Sequence, residues 1–191
     1  MSNETETVSK AYTAAQLFER EGDGQRCELV KGVLSMMSPA GSEHGWIAGN
    51  IYHYLSVHVR KNKIGRVYAA ETGFLISRDP DTVRAPDACF VSHERLATVE
   101  PSKAYLALAP DLVVEVVSPN DSSSDVESKA QLWLESGSQL VLVADPATQM
   151  IRVYENKSRI RVYRAGEQIK TGDVCQNWTL AVDDVFEIEK K

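Results

Sequence analysis

The sequence predicts an α/β fold (α+β in detail) built on a parallel or mixed β-sheet, and three observations carry this. The run Leu112-Val113-Val114-Glu115-Val116-Val117 is apolar at almost every position, as a strand covered on both faces requires. A helical segment and a second apolar run, residues 140–144, follow it in the order of a βαβ unit with a right-handed crossover. Hairpin-like segments lie on either side of that unit, at residues 26–37 and 151–163.

Local signals place the elements in order. The polar residues 1–11 read as a disordered tail, which leaves 12–191 as a single domain. Thr13-Ala14-Ala15-Gln16 has capping-box spacing, so a short helix starts there and stops near Gly22. Cys27-Glu28-Leu29-Val30 and Val33-Leu34-Ser35-Met36 flank a turn at Lys31-Gly32 and predict an N-terminal hairpin. After a loop at residues 38–42, Ile47, Ile51, Tyr54, Leu55 and His58 recur at helical spacing, predicting a long helix over 43–61. Residues 65–77 supply two strands or a hairpin turning near Glu71-Thr72-Gly73, and Arg78-Asp79-Pro80-Asp81 is a turn. Residues 86–91 form a strand, because proline is tolerated at a strand's first position. Residues 93–109 are a connection with at most a helical turn. Beyond the Glu115 strand, Ser124-Asp125-Val126-Glu127 is a second capping box, Leu132, Trp133 and Leu134 form the helix's buried side, and Gly137 ends it. Residues 151–154 and 160–163 form an antiparallel edge hairpin, and 174–188 hold one or two short strands.

Bulk composition narrows the function classes. The 191 residues, 43% hydrophobic and 25% charged, suit one folded domain with a substantial core. No apolar run approaches the roughly 20 residues that span a bilayer, so no membrane partner is expected. The first ten residues lack a signal-peptide core, and three cysteines without CxxC spacing argue against disulfides or structural zinc; a cytoplasmic location is expected. A net charge of −6 argues against an architectural DNA binder that works by bulk electrostatics, since such proteins are usually basic. Transient action on DNA stays open through a local basic strip, of which Arg60-Lys61-Asn62-Lys63-Ile64-Gly65-Arg66 is the best candidate; the plainer reading is a solvated helix end whose cations favour the C-terminal dipole.

Glu115 is the anomaly in this pattern. A carboxylate in a buried strand costs several kcal/mol, on the order of 3–5, unless it is neutralised, paired with a cation or bound to a metal. Asp87, in Arg84-Ala85-Pro86-Asp87-Ala88-Cys89-Phe90-Val91, is a second acid on an apolar strand. Asp111 lies four residues before Glu115, about 13 Å along the strand at ~3.3 Å per residue, too far to share one ion bound at ~2.1 Å. It reads as a strand-entry acid in solvent, so Asp87 is the better partner. A phosphodiesterase also needs a positive group to orient water or balance developing charge. The position two after Glu115 is Val117; Lys129, on the following helix, leans back toward the strand end. Asp125, four residues before it, can hold it, as a plain surface i,i+4 pair would also do.

Together these stretches resemble the PD-(D/E)xK nuclease superfamily and, more closely, the Uma-two family of restriction-endonuclease-like bacterial proteins. The resemblance runs from about residue 12 to 165. It rests on Cys27-Glu28-Leu29-Val30-Lys31-Gly32, Ser38-Pro39 with His44, Val83-Arg84-Ala85-Pro86-Asp87, Pro110 to Glu115 with Ser118-Pro119, Asp125 with Lys129, Leu132-Trp133 and Asp145-Pro146. It implies a restriction-endonuclease-like core, a mixed central sheet flanked by helices, and cleavage of a nucleic acid, DNA above all, with Mg2+ as cofactor and Mn2+ as its substitute. Carried over by position, Asp87 and Glu115 would be metal ligands with the Val116 carbonyl, Lys129 the catalytic lysine moved to a helix, and Glu28 a further acid. Val117 departs from the superfamily signature, which has its lysine there.

Read on its own residues, Glu28 is a solvent-facing strand acid, and His44, at a helix start, is structural or an accessory group facing the site. A homodimer fits double-strand cutting, though no residue points to it. A second class of function stays open: a catalytically inactive nuclease-fold module binding a protein or nucleic acid. The direction of Lys129, into a shared cleft or out to solvent, separates the two.

Overall fold

The structure, a computed structural model, describes residues 11–20, 26–100 and 102–187. Residues 1–10 of the expected tail, and the expected helix stop near Gly22, lie outside the described residues. Helix α1 (Ala14–Glu19) begins at the predicted capping box, with Thr13 accepting from the Gln16 N–H and the Gln16 side chain reaching back. The N-terminal hairpin, β1 (Cys27–Val30) and β2 (Val33–Met36), turns at Lys31-Gly32 as expected. It belongs to a small antiparallel sheet of order β2-β1-β5-β4, with β4 at Phe74–Ser77 and β5 at Thr82–Arg84. Three residues are too few to show alternation, so the sequence carries no signal for β5 beyond the turn before it.

The central sheet has six strands, in the order β10-β9-β8-β7-β6-β3. These are β3 (Gly65–Ala69), β6 (Ala88–Ser92), β7 (Leu112–Val116), β8 (Leu140–Asp145), β9 (Met150–Asn156) and β10 (Arg159–Tyr163). Strands β7 and β8 are parallel and the other pairs antiparallel, so the sheet is mixed. The parallel pair is joined by helix α4 (Ser123–Glu135), the expected βαβ unit. Residues 65–77 are two strands in separate sheets rather than a hairpin: β3 pairs with β6, and β4 with β5.

Strand alternation divides the core in two. Leu112, Val114 and Val116 face helix α2 (Ser42–Asn62) and the C-terminal segment, packing with Ile51, Leu55, Leu142 and Trp178. Val113 faces the other way, onto α4, with Cys89, Ala130, Trp133 and Val143. Glu115 therefore faces α4. Residues 168–187 hold β11 (Gln168–Lys170), a short 3-10 helix, β12 (Thr179–Ala181) and α5 (Val182–Phe186), a helix where only strands were expected. The short helix α3 (His93–Leu96) supplies the expected helical turn after β6. Trp46 is 48% exposed on α2, and Arg60, Lys61 and Lys63 form the solvated helix end.

Gly65 leaves no room for a side chain between β3 and β6: a Cβ there would lie 2.2 Å from the Val91 carbonyl oxygen. Backbone cannot yield as a side chain can, so Gly65→Ala is expected to destabilise the chain by about 1–3 kcal/mol in urea unfolding. An unchanged midpoint would contradict this packing.

Candidate active site

The site lies where β6 begins and β7 ends. Asp87 immediately precedes β6, and its N–H donates to the Val114 carbonyl, which fixes it beside β7. Its Oδ2 accepts the Val116 N–H at 2.7 Å and lies 3.3 Å from His44 Nε2. Register places Asp87 next to Glu115, since Ala88 pairs with Val114 in the antiparallel ladder.

Glu115 is 5% exposed, and both of its carboxylate oxygens are held from α4. Lys129 Nζ donates to Oε2 at 2.5 Å and Trp133 Nε1 to Oε1 at 2.7 Å. Burial pushes the Glu115 carboxyl up to about 7, with Lys129 opposing that rise and the charges of Asp87 and Glu28 adding to it. Lys129 turns inward, its side chain 27% exposed, and its pKa is raised: burial alone would lower it, but Glu115 and Glu28 outweigh that effect. His44 is also raised, chiefly by its hydrogen bond to Asp87, against the effect of burial.

The remaining predicted residues fall into two groups. Glu28 is buried rather than in solvent: its Oε1 accepts the Ala85 N–H at 2.9 Å and its Oε2 pairs with Arg84 Nη1 at 2.9 Å. Its charge reaches both Glu115 and Lys129. Asp125 does something other than hold Lys129. The cap of α4 is Ser122, not Ser124, because Ser122-x-x-Asp125 offers the same spacing one half-turn earlier; Ser122 Oγ accepts the Asp125 N–H and donates to Oδ2 at 2.6 Å. Lys129 is thereby left to Glu115. Asp111, expected in solvent, is 2% exposed and bonded to the Ser92 N–H and Gln139 at the opposite end of β7.

Two residues without a role in the sequence reading also belong to this cluster. Trp133 lies one helical turn beyond Lys129, and the same periodicity that brings Lys129 to the strand brings Trp133 there. Arg84 stands three residues before Asp87, and its buried Nε has no hydrogen-bond partner among the described residues; the same is true of His44 Nδ1.

The donor chemistry suits a hard divalent cation. Two carboxylates and a backbone carbonyl are oxygen ligands of the kind Mg2+ or Mn2+ takes, and Mg2+ commonly binds through one or two carboxylates while keeping water. Among the described residues, no three His, Cys, Asp or Glu side chains form a ready-made metal cage. Repulsion of Glu115 by Asp87 and Glu28 is the stress that a bound cation would relieve.

Comparison with known proteins agrees with this architecture. Residues 12–183 match the family described as "Uma2: Putative restriction endonuclease". A crystal structure described as a putative nuclease belonging to DUF820, from Anabaena variabilis, is similar in fold: TM-score 0.71 at 20% sequence identity, over 84% of this chain and 89% of that one. No curated protein matches the chain. No helix among the described residues is long and apolar enough to cross a membrane. With the family match spanning nearly the whole described chain, the protein belongs to the Uma2 family.

Proposed function

We propose that this chain is a divalent-cation-dependent endonuclease that hydrolyses phosphodiester bonds in nucleic acid, with DNA as substrate. The observation that carries this reading is the convergence of Asp87, Glu115 and Lys129 at one strand end, two acids and a cation from three different elements. The Uma2 membership supports the reaction class. The inward turn of Lys129 favours this reading over that of a catalytically inactive binding module.

Asp87 and Glu115 would hold Mg2+ or Mn2+, with the Val116 carbonyl beside them. When bound, the ion supplies Lewis acidity toward the scissile phosphate. The chain's own residues do the rest. Lys129, once freed from Glu115, would offer an ammonium to orient the attacking water or to balance charge developing on the phosphoryl oxygens. His44 is an accessory group, holding Asp87 through Nε2. Glu28 is a further acid that ties Arg84 and the Ala85 N–H into the approach to Asp87. Asp125 acts at one remove, by accepting the hydroxyl proton of Ser122, the residue that caps the helix carrying Lys129. The reading places the protein in the cytoplasm, as a homodimer where both strands of a duplex are cut.

Incubation of the purified chain with supercoiled plasmid and Mg2+ or Mn2+ is the test. Nicking or linearisation by the wild type, absent with chelator and absent in Asp87→Ala, is the expected outcome. A wild type that cleaves neither DNA nor RNA with either ion would overturn the enzyme reading.

A further inference from the structure

One helix holds both oxygens of Glu115. Lys129 and Trp133 are four residues apart on α4, so a single helical turn presents both to β7. The two donors differ in kind. Lys129 is a long, partly exposed ammonium that can leave its partner without disturbing the core. Trp133 has no exposed surface and packs among Cys89, Val113, Val141 and Tyr154. A buried indole N–H needs an acceptor, and this one is met by the acid itself.

We propose that Trp133 is a positioning residue for Glu115: its indole N–H fixes Oε1, and so reserves Oε2 as the oxygen that exchanges between the Lys129 ammonium and a divalent cation. This rests on the reading of Glu115 as a cation ligand. The indole cannot swing away without opening the core, whereas Lys129 can. Without the indole, Oε1 loses its fixed donor and the carboxylate is free to turn. Partners that orient a metal ligand in this way typically account for 10–100-fold in metal affinity.

The test is a Mg2+ titration of the wild type and Trp133→Phe, followed by calorimetry and by tryptophan emission. Phenylalanine keeps most of the ring volume and removes the donor. The expected result is a wild-type emission change that tracks the calorimetric binding curve, is absent in Trp133→Phe, and accompanies a Mg2+ affinity about 10–100-fold weaker in the variant. Circular dichroism establishes that the variant is folded. If Trp133→Phe does not fold, the emission change is followed in Trp46→Phe and Trp178→Phe, where its survival assigns it to Trp133. Wild-type Mg2+ affinity in folded Trp133→Phe, or wild-type emission unmoved at saturating Mg2+, would overturn the positioning role while leaving the cation site intact. Absence of any calorimetric Mg2+ binding by the wild type would overturn the cation reading and this inference with it.

Discussion

Glu115→Gln is expected to abolish the proposed cleavage and to leave the chain folded. The amide keeps the shape of the side chain and an oxygen for the Trp133 N–H, so the packing between β7 and α4 survives. It lacks the charge that pairs with Lys129 and that, in the proposed site, would hold a cation. Partners one shell removed from a metal already account for about 10–100-fold in affinity or activity, so loss of a direct ligand is expected to cost at least a hundredfold, roughly, in cleavage rate. The same substitution has a pH signature in the cation-free protein. Burial raises the Glu115 carboxyl from 4.5 to about 7, so the folded state binds its proton more tightly than the unfolded state does. Such a group contributes stability that is fully present below its unfolded pKa and is lost as pH rises through its folded one. Cation-free wild type should therefore lose stability between pH 5 and pH 8 in urea unfolding, and Glu115→Gln should lose less over the same range. Equal pH slopes in the two proteins would contradict the burial argument, and wild-type cleavage by the variant would remove Glu115 from the site.

Asp111→Ala is expected to destabilise the fold strongly. The carboxylate accepts the Ser92 N–H at 2.8 Å and Gln139 Nε2 at 2.7 Å, with Arg95 Nε 3.9 Å away. Its backbone carbonyl accepts from Gln139 and Leu140. One residue thus ties the end of β6, the start of β7 and the start of β8. Arg95 reinforces the junction by donating to the carbonyls of Ala109 and Gly137. Truncation leaves buried donors without their acceptor, and breaking a buried charged network of this kind costs about 3–5 kcal/mol. A fall of that size in unfolding free energy is expected, with Asp111→Asn falling less. A change below about 1 kcal/mol would show that solvent replaces the carboxylate, as the strand-entry reading implies.

The parts of the fold that were legible are those where burial imposes a period. The doubly covered strands β7 and β8, the long amphipathic helix α2 and the two hairpins all follow from apolar spacing. Strand β5 and helix α5 did not emerge, because three to five residues are too short to show a period and tertiary pairing decides their state. The acid Glu115 stood out because nothing local explains a carboxylate in a run of valines. Asp111 was misread for the converse reason: its partners Ser92, Gln139 and Arg95 come from other elements, so its proline-flanked position looked like an ordinary strand entrance. Asp125 was given to Lys129 by helical spacing, but Ser122 competes for it at the helix start. The indole of Trp133 counted as core in a reading of hydrophobic faces; its polar edge matters only once Glu115 is known to lie beneath it.

Calorimetric titration of the cation-free chain with Mn2+ tests the acidic centre most directly, independently of the substrate sequence. The proposed site predicts saturable binding to the wild type that is lost in Asp87→Ala and in Glu115→Gln, with both variants still folded by circular dichroism. Wild-type protein that takes up no Mn2+, or variants that bind it as the wild type does, would contradict a cation held between these two acids.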